Sequence, residues 1–142
     1  MKISEVMTTK VETISAEQTA REAADFMLRA NAGSIPVCRG DRVVGMITDR
    51  DIAMRGIAEG RGPDTLISEL MSEDVVWASE NEDVRTVAQR MSNEQVRRIP
   101  VLDADEKLVG IVSLGDLARG TGASTAEKVL EGVSAPGGLH QQ

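Results

Sequence analysis

Two stretches of the chain are copies of one another. "VMTTKVETIS" (6–15) aligns with "LMSEDVVWAS" (70–79), placing Met7 on Met71, Val11 on Val75 and Ser15 on Ser79, an offset of 64 residues. The same offset sets Arg21 on Arg85, Ala24 on Ala88, Met27 on Met91 and "SIPV" (34–37) on "RIPV" (98–101). After one inserted residue, "VVGMITDRDIA" (43–53) falls on "LVGIVSLGDLA" (108–118). Register held over nearly 50 residues per copy marks duplication of a folding unit, so the fold must be built twice from one plan.

Each copy reads in the same order. "KVETI" (10–14) and "DVVWA" (74–78) are short apolar stretches that suit a first strand. Ala20, Ala23, Ala24 and Met27, and in the second copy Val84, Val87, Ala88 and Met91, recur with helical spacing as one apolar face. Thr19 with Glu22 suits a capping box, and Asp83 suits an N-cap. "SIPVC" and "RIPVL" are β-rich but contain proline, which predicts short or edge strands. Turns follow at "RGDR" (39–42) and "DADEK" (103–107). "VVGMIT" (43–48) and "LVGIVS" (108–113) are the strongest strand signals. "DRDIAMRGIA" and "LGDLARG" then read as helices. The plan is β-α-β-β-α twice, an α/β (α+β) fold of two pseudo-symmetric repeats.

The repeat period sets repeat one at 1–60, a linker at 61–69 and repeat two at 70–120. The extension 121–142 is expected to hold a short helix ("STAEKVLEGV") and then a flexible tail ("SAPGGLHQQ").

Composition removes several function classes. With one Phe, one Trp and no Tyr, the core is aliphatic and base stacking on aromatic side chains is disfavoured. A formal net charge of −7 repels phosphate backbones, so no nucleic-acid partner is expected. Cys38 is the one cysteine and His140 the one histidine, so neither a disulfide, a CxxC zinc site nor a nucleophile–histidine pair is expected; Cys38 reads as packing. Met7, Met27, Met71 and Met91 read as core fillers, and Trp77 is expected to fill the core as well. No apolar run reaches 18 residues and the N-terminus lacks a signal-peptide stretch, so no membrane partner and a cytoplasmic setting are expected. No metal ligands, catalytic residues or required cofactor are expected.

One motif carries chemistry. "GMITDRD" (45–51) and "GIVSLGD" (110–116) each place a hydroxyl at the end of a strand and an aspartate three residues on, in the first helical turn. Spacing alone allows two readings. The pair can close a helix end, with the hydroxyl as N-cap and the acid near the positive end of the helix dipole. The same carboxylate can also accept from adjacent ribose hydroxyls, as acids do in dinucleotide-binding folds.

The duplicated β-α-β-β-α plan, "SIPV"/"RIPV" and "GMITDRD"/"GIVSLGD" together resemble cystathionine β-synthase (CBS) domains, two of which in tandem form a Bateman module. The resemblance spans about residues 3–120. The layout, with "TDRDIAMRGIAEG" as its extension, is similar to the stand-alone bacterial hypoxic response group, which implies a stress setting. The resemblance implies a non-enzymatic regulatory sensor. An adenosine-type ligand such as AMP would sit in clefts between the repeats and signal to an effector protein in trans. It implies a homodimer formed through the helices. It assigns the ribose to Thr48 and Asp51, and to Ser113 and Asp116. Adenine would lie against Thr13, Ile14, Ile35, Pro36 and Val37 in copy one, and Trp77, Ala78, Ile99, Pro100 and Val101 in copy two. Some members carry an arginine just before the I-P-V strand, which points to Arg97 and Arg98 as phosphate partners. Copy one has Gly33 and Ser34 there, so it is expected to take a less charged ligand, with Arg50, Arg55 and Lys10 as compensating cations. The competing reading is a structural, dimerising CBS pair that binds no nucleotide.

Overall fold

A computed structural model describes residues 1–121; the short helix and tail expected beyond them lie outside the described residues. The chain divides into two compact units. One is Glu12–Val75, and the other joins Met1–Val11 to the chain from Val76 onward.

In the first unit, β1 (Ile14–Ser15), α1 (Ala20–Ala30), β2 (Ser34–Arg39) and β3 (Arg42–Thr48) follow in order. α2 (Asp49–Asp51) then runs on as a π-turn, Ile52–Gly56, and a 3-10 turn, Ile57–Glu59. The second unit repeats the plan as β4 (Ala78–Ser79), α3 (Val84–Glu94), β5 (Arg98–Leu102), β6 (Leu108–Ser113) and α4 (Leu114–Thr121). Each unit has a three-stranded sheet, ordered β1-β2-β3 or β4-β5-β6, with the first pair parallel and the second antiparallel. The expected α/β class and the doubled β-α-β-β-α plan are both present.

Local chemistry explains the helix ends. Thr19 Oγ1 accepts from the Glu22 amide at 3.3 Å while Glu22 accepts from the Thr19 amide. Asp83 accepts from the Arg85 amide at 3.0 Å. α1 and α3 both terminate on a left-handed residue, Asn31 (φ 51°) and Gln95 (φ 57°), at matched positions.

Three expectations are corrected. The first strands cover only Ile14–Ser15 and Ala78–Ser79, at the far end of the stretches 10–14 and 74–78. The residues just upstream carry the chain from one unit to the other and do not pair in a sheet. The proline-containing strands β2 and β5 are central rather than edge strands. β1 and β4 pair only with the two residues after each proline, Val37–Cys38 and Val101–Leu102, so Pro36 and Pro100 have a ladder neighbour on one side alone. Finally, Ala24 is exposed while its counterpart Ala88 is buried. A regular α4 packs on α3, whereas a π-turn faces α1 and leaves that flank open.

The two cores show how the units are assembled. Ile14, Ala20, Ala23, Met27, Ile35, Val37 and Ile47 form the first, joined by Ile67, Leu70 and Met71. Val84, Val87, Met91, Ile99, Val101, Val112 and Leu117 form the second, joined by Ile3 and, at its margin, Val6 and Met7. Thus the 3-10 turn preceding each repeat, Ile3–Glu5 or Ile67–Glu69, packs into the unit of the other repeat. The compact units therefore exchange their leading segments, which cuts the chain elsewhere than the period 1–60, 61–69 and 70–120 does.

This exchange explains the glycine that opens each seven-residue motif. Thr8 pairs with Ile111, and Ser72 with Met46, as isolated antiparallel bridges. A Cβ on Gly110 would lie 2.5 Å from Met7 Sδ and 3.0 Å from the Thr8 carbonyl oxygen; one on Gly45 would lie 2.6 Å from Met71 Sδ and 2.9 Å from the Ser72 carbonyl oxygen. Only a residue without a side chain admits the crossing segment. The paired methionines are core residues, as expected, with Met7 at the core margin.

Candidate functional site

Each repeat ends its last strand on a hydroxyl and starts a helix at the next residue. At the first junction Thr48 Oγ1 accepts from the Asp51 amide at 3.1 Å, and Asp51 Oδ2 accepts from the Thr48 amide at 2.9 Å. At the second, Ser113 Oγ accepts from the Asp116 amide at 3.3 Å, and Asp116 Oδ2 accepts from the Ser113 amide at 2.9 Å. The structure brings both predicted hydroxyl–aspartate pairs together as reciprocal caps.

The cap uses one carboxylate oxygen, and the two sites differ in the other. Among the described residues, Asp51 Oδ1 accepts no hydrogen bond, and its nearest cation is Arg55 Nε at 4.0 Å. Asp116 Oδ1 is instead held by the Arg119 guanidinium. The Asp51 side chain is 17% exposed and that of Asp116 5%, so the freer acid is also the more accessible one.

The residues before the I-P-V strands sit beside these pairs. Ser34 faces Thr48 across the β2–β3 ladder, and Arg98 faces Ser113 across β5–β6. The Asp49 amide donates to Gly33 O at 3.0 Å, and the Leu114 amide to Arg97 O at 3.2 Å. Ser34 Oγ is buried with no hydrogen-bond partner. Arg97 is exposed and Arg98 half-buried, and neither guanidinium has an ion-pair partner among the described residues. Arg50 is exposed and equally unpaired. Arg55 lies 4.0 Å from Asp51 through its Nε, while its Nη1 donates to the carbonyls of Leu70 and Met71, at 3.3 and 3.1 Å, which ties it to the segment exchanged into this unit. Lys10 is exposed.

The expected adenine-flanking residues divide by strand alternation. Ile35, Val37, Ile99 and Val101 point into the cores, as do Ile14 and Ala78. Pro36 and Pro100 are buried but belong to neither core cluster. Thr13 is exposed. Trp77 is 40% exposed, which corrects its expected core role. Its carbonyl accepts from Arg90 Nη1 at 2.9 Å, so a charged group anchors the backbone at this point.

Sequence reasoning missed Asp49 and Arg119. The signal was present in the residues after each hydroxyl, "TD" against "SL", and in the arginine three positions after the second aspartate. Cys38 is buried in the sheet, and that burial, with a smaller push from Asp41, raises its thiol above the ordinary range, against a hydrogen bond from Thr13. A thiol so placed is a poor nucleophile.

The duplicated unit, with an acid held at each strand–helix junction, defines a tandem α/β module. The CBS domain family model matches residues 3–56 and 67–121, and the chain belongs to this family. It is 46% identical over 116 residues to the CBS domain-containing protein YhcV of Bacillus subtilis, covering 82% of each chain. It is 35% identical over 117 residues to Hypoxic response protein 1 of Mycobacterium tuberculosis, covering 81% of each. Among solved structures, Hypoxic Response Protein I with two coordinated zinc ions superposes with a TM-score of 0.78 at 33% identity, over 84% of this chain and 98% of that one. The CBS domain pair of protein MJ0100, in complex with 5′-methylthioadenosine and S-adenosyl-L-methionine, gives 0.75 at 29%, over 86% and 96%. Among the described residues of this chain, no group of three His, Cys, Asp or Glu side chains converges as a metal centre would, and no helix is long and apolar enough to cross a membrane.

Proposed function

We propose that the protein is a non-enzymatic, cytoplasmic regulatory sensor that binds adenosine-type ligands through its two hydroxyl–aspartate junctions and signals to an effector protein in trans. The observation that carries this reading is the unused oxygen. The cap takes only Oδ2 of Asp51, and Oδ1 keeps its lone pairs for a ribose diol, so capping and ribose binding are compatible roles of one residue. The second junction adds Arg97, Arg98 and Arg119 around Asp116, a set suited to a phosphorylated ligand such as AMP. The adenosine ligands named for the MJ0100 pair support the ligand class, and the hypoxic response name of one relative favours a stress setting.

Self-association belongs to the same proposal. α1 and the π-turn pack on one another and leave Leu28, Met54 and Ile57 exposed at 80%, 53% and 67%. A second copy covering that patch would give the homodimer.

Calorimetry or thermal shift across adenosine, AMP, ADP, ATP, 5′-methylthioadenosine, S-adenosylmethionine and NAD tests the reading, because a ligand of the folded state raises its stability. At least one adenosine compound is expected to bind, and Asp51→Ala with Asp116→Ala is expected to abolish binding. No shift with any compound at millimolar concentration would favour the purely structural CBS pair.

A further inference from the structure

We propose that Ser34 and Asp49 set the ligand charge of the first junction, making it a site for an adenosine whose 5′ substituent is neutral or cationic; this rests on the ribose-reading role of Thr48 and Asp51. Three observations meet there. First, Ser34 Oγ has no partner in a residue only 9% exposed. Buried hydroxyls are nearly always hydrogen-bonded, so this one is kept for a group that the protein alone does not supply. It lies directly across the ladder from Thr48, beside the ribose-reading pair.

Second, Asp49 stands where the second repeat has Leu114. A Cβ on Gly33 would meet Asp49 Oδ2 at 3.0 Å and its Cγ at 3.3 Å. The matched residue in the second repeat is Arg97, so an arginine stem at position 33 would crowd Asp49 as it now stands. The first junction therefore carries a carboxylate beside position 33, where the second repeat has an arginine.

Third, the charge balance differs. The first junction sets Asp49 and Asp51 against Arg50 and Arg55, whose Nε lies 4.0 Å from Asp51 Oδ1. The second sets Arg97, Arg98 and Arg119 against Asp116. A phosphate dianion finds no surplus of cations at the first, where Asp49 repels it, and three cations against one acid at the second. A neutral thioether, or a cationic sulfonium, meets no such penalty beside Asp49, and a polar group near the ribose can satisfy Ser34.

The test isolates the first junction in an Asp116→Ala background and compares two probes by calorimetry, neutral 5′-methylthioadenosine and dianionic AMP. The neutral ligand is expected to bind more tightly by about tenfold or more, the size of repulsion between a dianion and a nearby carboxylate in water. Adding Asp49→Asn, which keeps the oxygen that accepts from the Arg50 amide, is expected to bring the two affinities within roughly threefold. Ser34→Ala is expected to weaken 5′-methylthioadenosine by about 3- to 10-fold, the worth of one hydrogen bond. It should leave the melting temperature of the free protein unchanged or higher, since it removes an unsatisfied buried hydroxyl; a residue with a merely structural role would lower it. Equal affinities in the Asp116→Ala background, or a preference that survives Asp49→Asn, overturn the assignment. If the wild-type protein binds AMP but the Asp116→Ala background binds neither probe, this inference fails alone. If the wild type binds no adenosine compound, the ribose-reading role fails and the inference goes with it.

Discussion

The two repeats share the turns after their first strands and the boxes at their junctions down to the hydrogen bond, and share almost none of the surrounding charge. Ser15 and Ser79 each donate their amide to the side chain three residues on, Gln18 or Glu82, at 2.8 Å in both cases. Thr48 with Asp51, and Ser113 with Asp116, repeat the same reciprocal box. Yet Glu82 is bound by Arg90, where the first repeat has Gln18 and Phe26. Asp116 is bound by Arg119, where Asp51 has a long contact to Arg55. The difference separates two demands on one sequence. Caps and crossings are needed for either unit to fold, so they recur. Charges at the junctions answer to what each site meets, so they are free to diverge.

The strongest way to break that comparison is to attack a feature both units need. Gly45→Val and Gly110→Val each drive a side chain into a methionine sulfur and a backbone carbonyl of the segment crossing from the other repeat. Each is expected to lower stability by about 3 kcal/mol, at the upper end of overpacking costs. Urea unfolding reads the effect, and matched losses in the two variants are expected. A valine tolerated at one glycine and not at the other would show that the crossings are not equivalent.

The sequence made the skeleton legible because it states the pattern twice. Helical spacing around Met27 and Met91, the Thr19 box and the Asp83 cap are local signals, and each formed as read. What the sequence did not show was non-local. No local rule says that Ile3 and Met7 pack with residues more than 70 positions away while Ile67 and Met71 pack back on the first repeat. The same crossing shortened β1 and β4, because residues in transit between units have no strand to pair with. At the junctions, Thr48, Asp51, Ser113 and Asp116 were readable from recurrence. The hold on Arg55 was not readable because its acceptors, the carbonyls of Leu70 and Met71, lie in the exchanged segment. Asp49 was missed because its effect depends on its closeness to Gly33, which only the folded hairpin creates.

A smaller effect sharpens the comparison through pH. Arg90 forms two bonds to Glu82, at 2.8 and 2.5 Å, and these hold the Glu82 carboxyl below its ordinary value of 4.5 despite partial burial. A carboxylate whose folded pKa is depressed stabilises the protein above its unfolded value and loses that contribution as pH falls through the folded one. Arg90→Ala is therefore expected to cost about 1 kcal/mol at neutral pH, a modest figure because both side chains are partly exposed. That cost should shrink when the measurement is repeated at acid pH below 4.5, as Glu82 begins to protonate through its depressed folded value. Urea midpoints of parent and variant at the two pH values measure it. A cost independent of pH would assign Arg90 to packing and to its bond with the Trp77 carbonyl.

The smallest expected effect falls on the acids themselves. In the free protein Arg119 occupies the Asp116 oxygen that a ribose would use, whereas Asp51 keeps that oxygen open. Arg119 is 72% exposed, so water lowers the cost of swinging it away, and its charge is then available to a phosphate. Removing it pulls in two directions that depend on the ligand. With Asp51→Ala silencing the first junction, Arg119→Ala is expected to tighten uncharged adenosine by about threefold, because the competitor is gone and an exposed ion pair is worth well under 1 kcal/mol. The same variant is expected to weaken AMP by about threefold, since a cation near the phosphate is lost. Calorimetry with both probes reads the opposite signs. Equal shifts for the two ligands would mean that Arg119 only braces α4, and that the asymmetry of the junctions resides in Arg97 and Arg98.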